Sequence, residues 1–155
     1  MNGFESVLSP AQVSARVDVA SKKALFARLA RIGAGLSGLS EAEVGEGLQL
    51  RERLGPTGFG GGSAIPHARL DGLTAFHMAV LTLAQPIDYG AVDGAPVDLV
   101  VLLLSPIDGG AHHLKLLAQI SRMLRDGAVA TKLRGARSND ALHSLLVPPN
   151  ARDAA

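Results

Sequence analysis

Val97-Asp98-Leu99-Val100-Val101-Leu102-Leu103-Leu104 is nearly continuous apolar sequence with a single charge. It is far shorter than the ~20 residues that span a bilayer, and it has the length and β-branched content of a strand. A strand without polar alternation needs cover on both faces, which places it at the centre of a sheet layered with helices. Upstream, Asp88 to Pro96 holds Gly90, Gly94 and Pro96 and reads as a loop. Before it, Ala75 to Leu83, with Val80 and Thr82, reads as a second strand that Pro86 should stop. Downstream, Ser105, Pro106 and the turn Asp108-Gly109-Gly110 lead to a helix from about Ala111 to Arg125. Its apolar positions Leu114, Leu116, Leu117, Ile120, Met123 and Leu124 cover more than one stripe and predict heavy burial, and Arg122 with Arg125 suits the carboxyl end of the helix dipole. A helical piece from Ala128 to Arg134 follows, then one from Asn139 to Leu146 capped by Ser138. Pro148 and Pro149 open a short polar tail, 148–155, that should fray.

The amino-terminal half is helical by period. From Asp18 to Ile32, Leu25, Leu29 and Ile32 with Phe26 form an apolar stripe opposite Lys22, Lys23, Arg28 and Arg31. Gly33, Gly35 and Gly38 are expected to end that helix. Ser40 and Glu43 form a capping box for a second helix reaching about Leu54, with Gly55 as its stop. Gly45 and Gly47 within it each cost on the order of 1 kcal/mol relative to alanine, so packing must stabilise it. Pro56 to Gly62 is dense in glycine and feeds an extended run, Ala64 to His67. The order α, α, β, β, β, α, α, α is that of an α/β layer protein with helices packed on a small sheet.

Composition bounds the function. The chain has 155 residues, and 15 Lys plus Arg against 14 Asp plus Glu leave a formal charge of +1, which gives no support to nucleic-acid binding by bulk attraction. There is no cysteine, hence no thiol nucleophile, redox pair or zinc ribbon. At this length roughly 70% of the unfolded chain's surface can be buried, so a core needs neither disulfides nor metal. Met1 to Val13 carries Glu5 and Pro10 and no apolar run like a signal peptide, and with no spanning segment the chain is expected in the cytoplasm.

Of the five histidines, His77 lies within a predicted strand and His143 among leucines of the last helix, and both read as structural or incidental. His67 follows a proline at the end of an extended segment, behind a glycine cluster that lets other backbone approach. Pro66 donates no hydrogen bond and favours an edge or bulge there. A nucleophilic imidazole needs one ring nitrogen held by an acceptor, the other free, and donors around the incoming oxygens. The residues by themselves leave open a plain loop histidine. His112 and His113 sit in the first turn of the third helix, where unpaired N–H groups favour an anion, or where both are simply solvated. Being adjacent, they point about 100° apart and cannot serve one centre in the same way.

Nucleotide loops are excluded by counting. Gly55 and Gly60 have the Walker A gap, but Gly61 and Gly62 stand where Lys and Ser or Thr are required. A dinucleotide fingerprint fails at Ile65 or at Ser63, depending on where it starts. No His-Glu-x-x-His occurs. A metal-dependent hydrolase built on His67, His112 and His113 and a regulator acting by contact alone remain as rivals.

The block from Arg51-Glu52-Arg53 through Gly55-Pro56-Thr57-Gly58-Phe59-Gly60-Gly61-Gly62-Ser63-Ala64-Ile65-Pro66-His67 resembles the signature of IIA proteins of the mannitol and fructose class in the bacterial phosphotransferase system, and within it the nitrogen-regulatory subgroup. Pro86-Ile87-Asp88, Val92-Asp93-Gly94, Pro96-Val97-Asp98-Leu99 and His113-Leu114 extend the resemblance from about Leu8 to Leu146. It implies a single phosphoacceptor domain over about 5–147, folded as a mixed β-sheet flanked by helices on both faces. His67 then corresponds to the histidine that accepts a phosphoryl group from an HPr-like phosphocarrier protein. Arg51 corresponds to the family arginine near that site, and His113 to the second active-site histidine that helps hold the phosphate. Neither metal nor other cofactor is implied. The implied partners are the carrier and regulated proteins such as sensor kinases or potassium transporters, and the alternative is a transport component passing phosphate to a separate IIB protein. Ala68 and Arg69 stand where the family usually has glycine and lysine, Gly109, Gly110 and Ala111 where it often has hydroxyl residues, and Pro56 where it has a common serine.

Overall fold

The computed structural model describes residues 8–147. The tail at 148–155 and the stretch before Leu8, on which the expectations of fraying and of no signal peptide rest, lie outside the described residues. A 3-10 turn, Pro10–Gln12, precedes strand β1 (Val13–Val17), helices α1 (Lys22–Ser37) and α2 (Glu41–Arg53), and strands β2 (Gly58–Gly60), β3 (Ser63–Ala64), β4 (His67–Leu70), β5 (His77–Ile87) and β6 (Val97–Pro106). Helices α3 (Gly110–Arg125), α4 (Gly127–Gly135) and α5 (Asn139–Leu146) follow.

The apolar stretch is the sheet's central strand. β6 pairs antiparallel with β5 on one side and parallel with β3 and β4 on the other; β1 lies beyond β5, parallel to it, and β2 beyond β3, antiparallel. Side chains leave β6 alternately. Val100, Leu102 and Leu104 join a core with Leu25, Phe26 and Leu29 of α1 and Val44 and Leu48 of α2. Leu99, Val101 and Leu103 join another with Leu116, Ile120 and Leu124 of α3, Leu133 of α4, and Leu142 and Leu146 of α5. The sheet is therefore mixed, with helices on both faces, in a single domain.

Several boundaries differ from expectation for identifiable reasons. α1 starts later than Asp18, capped by Ser21, and passes through Gly33 and Gly35 to end at Gly38 in the left-handed region. Gly33 does not break the helix because it brings it close to its neighbours: a Cβ there would lie 2.7 Å from Val44 and 2.9 Å from Leu104. Strand β1 was not anticipated; its five residues alternate too weakly, and Arg16 bulges out of register with a φ of 59°. Pro86 does not stop β5, since it lies where the register shifts between Thr82 and Ile87 and no ladder N–H is required. α3 is less buried than expected. Only His113, Leu116, Ile120 and Leu124 are buried, one stripe, while Leu114 is exposed. The N-caps at Ser40 and Ser138 form as expected, each hydroxyl accepting a backbone N–H, but the reciprocal half of the expected capping box does not, because the Glu43 carboxylate accepts from the Ser40 hydroxyl and not from its backbone N–H.

The extended run of residues 64–67 is part of a longer device. Gly61 and Gly62, at φ 68° and 83°, turn β2 back on β3 in a two-residue hairpin that only a residue tolerant of positive φ allows at both places. β3 and β4 then pair with β6 at one constant offset, Ala64 opposite Val100 and His67 opposite Leu103. They are one parallel strand interrupted at Ile65-Pro66, where proline has no N–H to donate.

The two helical glycines should respond oppositely to alanine. Gly33→Ala overpacks a buried contact and is expected to lose ~1–3 kcal/mol, whereas Gly35→Ala, with nothing within 4 Å of the added methyl, should gain ~0.5–1 kcal/mol. Urea unfolding of both variants measures this; a Gly33→Ala chain as stable as the parent would contradict the close approach.

Candidate functional site

His67 opens β4 immediately after the interruption, and the consequence is chemical. The carbonyl of Ile65 accepts a hydrogen bond from His67 Nδ1 at 2.6 Å. A carbonyl can only accept, so Nδ1 carries the proton and the neutral ring holds its lone pair on Nε2. The second contact agrees: Arg51 Nε donates to Nε2 at 3.2 Å. Arg51 lies in the last turn of α2, and its Nη1 also donates to the carbonyl of Gly55 at 3.0 Å, so the guanidinium spans the turn that leaves the helix.

That turn is anchored by Glu52, a residue the sequence reading passed over. Its carboxylate accepts from Thr57 N and Lys22 Nζ on one oxygen, both at 3.0 Å, and from the Thr57 hydroxyl on the other at 2.6 Å. The Tyr89 hydroxyl bonds Thr57 at 2.7 Å, and Lys22 also stands 4.3 Å over the Tyr89 ring. Burial pushes the Tyr89 hydroxyl's pKa above its ordinary value. The acid beside a Gly-Pro-Thr turn was the available signal.

On the other side of His67, α3 brings His113 within 5.7 Å, ring centre to ring centre. Parallel pairing explains the encounter. His67 lies opposite Leu103 and Arg69 opposite Ser105, all on the sheet face that α3 covers, and α3 starts four residues after β6 ends. His113 is only 4% exposed, and its Nδ1 lies 2.6 Å from Ser105 Oγ, itself fully buried. Ser105 was also missed, although it is a hydroxyl at the end of an apolar strand just before a histidine-bearing helix. His112 does not join the site: it is exposed, and its ring packs 4.5 Å from that of Phe76. Of the remaining histidines, His77 opens β5, and His143 is buried with Nε2 3.4 Å from the Leu8 carbonyl. Among the described residues no three His, Cys, Asp or Glu side chains are grouped to hold a metal ion, and no helix is long and apolar enough to cross a membrane.

His67, Arg51, His113 and Arg69 line one cavity of about 560 Å³ whose rim carries Leu50, Leu54 and Leu114. These leucines are 53%, 85% and 61% exposed, an apolar border around a basic floor. Burial, joined by the nearby Arg51 and Arg69, lowers the His67 pKa, with the Ile65 carbonyl opposing. The same causes act more strongly on His113: burial first, then Arg69 and His67, hold it down to about 4. Both rings are thus neutral at pH 7. The site offers a lone pair flanked by cationic and N–H donors, an arrangement suited to receiving a group with negative oxygens.

A family model described as phosphoenolpyruvate-dependent sugar phosphotransferase system, EIIA 2, matches residues 6–147. The nitrogen regulatory protein of Bradyrhizobium diazoefficiens is 44% identical over 145 residues, covering 94% of this chain and 95% of that protein. The Pseudomonas aeruginosa nitrogen regulatory protein is 42% identical over 145 residues, covering 93% and 94%. The solved nitrogen regulatory protein IIA-Ntr from Neisseria meningitidis superposes with a TM-score of 0.87 at 32% identity, over 91% of this chain and 97% of that one.

The depressed pKa values of His67 and His113 make stability fall with acid. His113 titrates near 4 in the folded chain and near ~6.5 unfolded, so the unfolded chain binds more protons between those values. Its contribution is intact above ~6.5 and is lost as the pH falls through about 4, and His67 adds to the loss in the same direction. Urea midpoints at pH 7.5, 5.5 and 4.5 should fall less steeply for His113→Gln than for the parent; parallel curves would contradict a buried neutral imidazole.

Proposed function

Because the chain belongs to the EIIA 2 family of the phosphoenolpyruvate-dependent sugar phosphotransferase system, we propose that it is a phosphoryl-accepting regulatory component of that relay, taking phosphate on His67 from an HPr-like carrier and signalling by its phosphorylation state. The observation that carries this reading is the bond from His67 Nδ1 to the Ile65 carbonyl, which leaves Nε2 unprotonated beside Arg51 and His113.

In the proposed step, the carrier's phosphoryl group approaches in line with the Nε2 lone pair. The P–N bond to the carrier imidazole breaks, its electron pair returning to that ring, as a new P–N bond forms to Nε2. The Nδ1 proton stays on His67, and the positive charge the ring acquires is offset by the Ile65 carbonyl dipole. Arg51 Nε–H gives up the lone pair and turns to the phosphoryl oxygens, with Nη1 still tied to Gly55. Loose phosphoryl transfer asks the protein mainly for alignment and charge stabilisation at the equatorial oxygens. Arg51, Arg69 and His113 supply the latter. The leucine rim suits an apolar protein face, so the donor reaches His67 by docking.

Phosphorylation adds about −1.5 to −2 charges to the floor of this docking surface. A surface basic in one state and anionic in the other selects different partners, and regulated proteins such as sensor kinases or potassium transporters are the proposed readers, in the cytoplasm. Residues 5–147 form the phosphoacceptor domain in this reading. Onward transfer to a IIB protein and regulation by contact alone are its rivals.

Incubation with phosphoenolpyruvate, the general phosphotransferase and an HPr-like carrier should give acid-labile, base-stable label on this chain. His67→Ala should take up none, and His113→Ala should label at least about tenfold more slowly. Label on His67→Ala equal to the parent's would overturn the acceptor assignment, and an unlabelled parent would favour the contact-only regulator.

A further inference from the structure

The second histidine poses a question that its position leaves open. A neutral imidazole helps hold a phosphoryl group only if it turns an N–H toward the oxygens; with the other tautomer it would present a lone pair to negative charge. His113 has its Nδ1 against the sheet, on Ser105 Oγ, and its ring borders the cavity it shares with His67. Nε2 makes no hydrogen bond to a described residue, so the nitrogen available to a ligand is Nε2.

We infer that Ser105 is a positioning residue for the phosphoryl site: its hydroxyl donates to His113 Nδ1 and thereby puts the proton of the neutral ring on Nε2, where it faces the transferred group. This rests on the proposed phosphoryl transfer to His67. The direction of the bond follows from hydrogen-bond accounting. Ser105 has no solvent exposure, and His113 Nδ1 is its hydroxyl's one partner among the described residues. If Nδ1 carried the proton and donated, the serine O–H would be left buried with no acceptor, at the cost of its desolvation. With the serine donating, its O–H has an acceptor and Nδ1 is paired, while Nε2–H is free for the ligand.

The two imidazoles then have opposite tautomers imposed by opposite partners. A carbonyl that can only accept, that of Ile65, keeps the proton of His67 on Nδ1 and leaves Nε2 a nucleophile. A hydroxyl without another acceptor, donating to His113 Nδ1, keeps the proton of that ring on Nε2 and makes Nε2 a donor. The donor is in place before the group arrives and requires no proton uptake, so it costs little reorganisation during transfer. The strand supplies the placement, since Ser105 lies opposite Arg69 and two residues beyond Leu103, the partner of His67.

Long-range ¹H–¹⁵N correlation spectra of the unphosphorylated, ¹⁵N-histidine-labelled chain at pH 7 read both tautomers directly. The parent should show His113 protonated at Nε2 and His67 at Nδ1. In Ser105→Ala the His113 signals should move toward the Nδ1–H form or an average. Label transfer from the carrier to His67 should slow about tenfold at unchanged half-saturating carrier concentration, and Ser105→Thr, which keeps the hydroxyl, should restore the parent tautomer and rate. A parent His113 protonated at Nδ1 overturns the inference whether or not any variant folds, as does a Ser105→Ala chain with unaltered tautomer and rate. Failure of His67 to accept label would instead remove the proposed function while leaving the tautomer result standing.

Discussion

A strand whose side chains are apolar on both sides has to be covered twice, and the architecture follows from that constraint on β6. Leu99 to Leu104 are entirely removed from solvent. Burying apolar surface at ~25 cal/mol per Å² makes these side chains a large favourable contribution, and it is realised only when α1 and α2 close one face and α3, α4 and α5 the other. The same strand sets the register of every neighbour that reaches the site. Its carboxyl end lies beside His67 and Arg69, and the chain leaving it enters the helix that carries His113. Histidines far apart in sequence meet because both are indexed to one buried strand.

Interruptions in otherwise regular pairing provide the chemistry. Pro66 breaks the β3–β4 strand for want of an N–H, and at that break the Ile65 carbonyl accepts from the His67 ring. The turn after α2 is rigid because Glu52 gathers donors from Thr57 and Lys22, which holds Gly55 where the Arg51 guanidinium needs it. The buried end of β6 keeps one hydroxyl, Ser105, under His113. Arg51, His67 and His113 each have a partner that determines which atom they offer, so these three side chains are oriented before any ligand enters.

Much of this was legible in the sequence. The double cover of residues 97–104, the helix caps at Ser40 and Ser138 and the proximity of Arg51, His67 and His113 all rest on local patterns or a long specific motif. What could not be read depended on tertiary proximity. Gly33 breaks helices by propensity, yet it stays helical because Val44 and Leu104 leave no room for a larger residue. β1 gains its pairing from β5 rather than from its own alternation. His113 was expected in a solvated or anion-binding helix start, and its burial against Ser105 follows from the packing of α3 on the sheet. Glu52 and Ser105 have no periodicity to announce them; only the groups they meet give them a role.

In the proposed function the Ile65 carbonyl chooses the reactive nitrogen of His67. Ring ¹⁵N and ³¹P spectra of the chain phosphorylated through the carrier test this most directly. The phosphorus should be on Nε2 of His67, with Nδ1 still protonated; a phosphoryl group on Nδ1, which would require the bond to Ile65 to be absent, would contradict it.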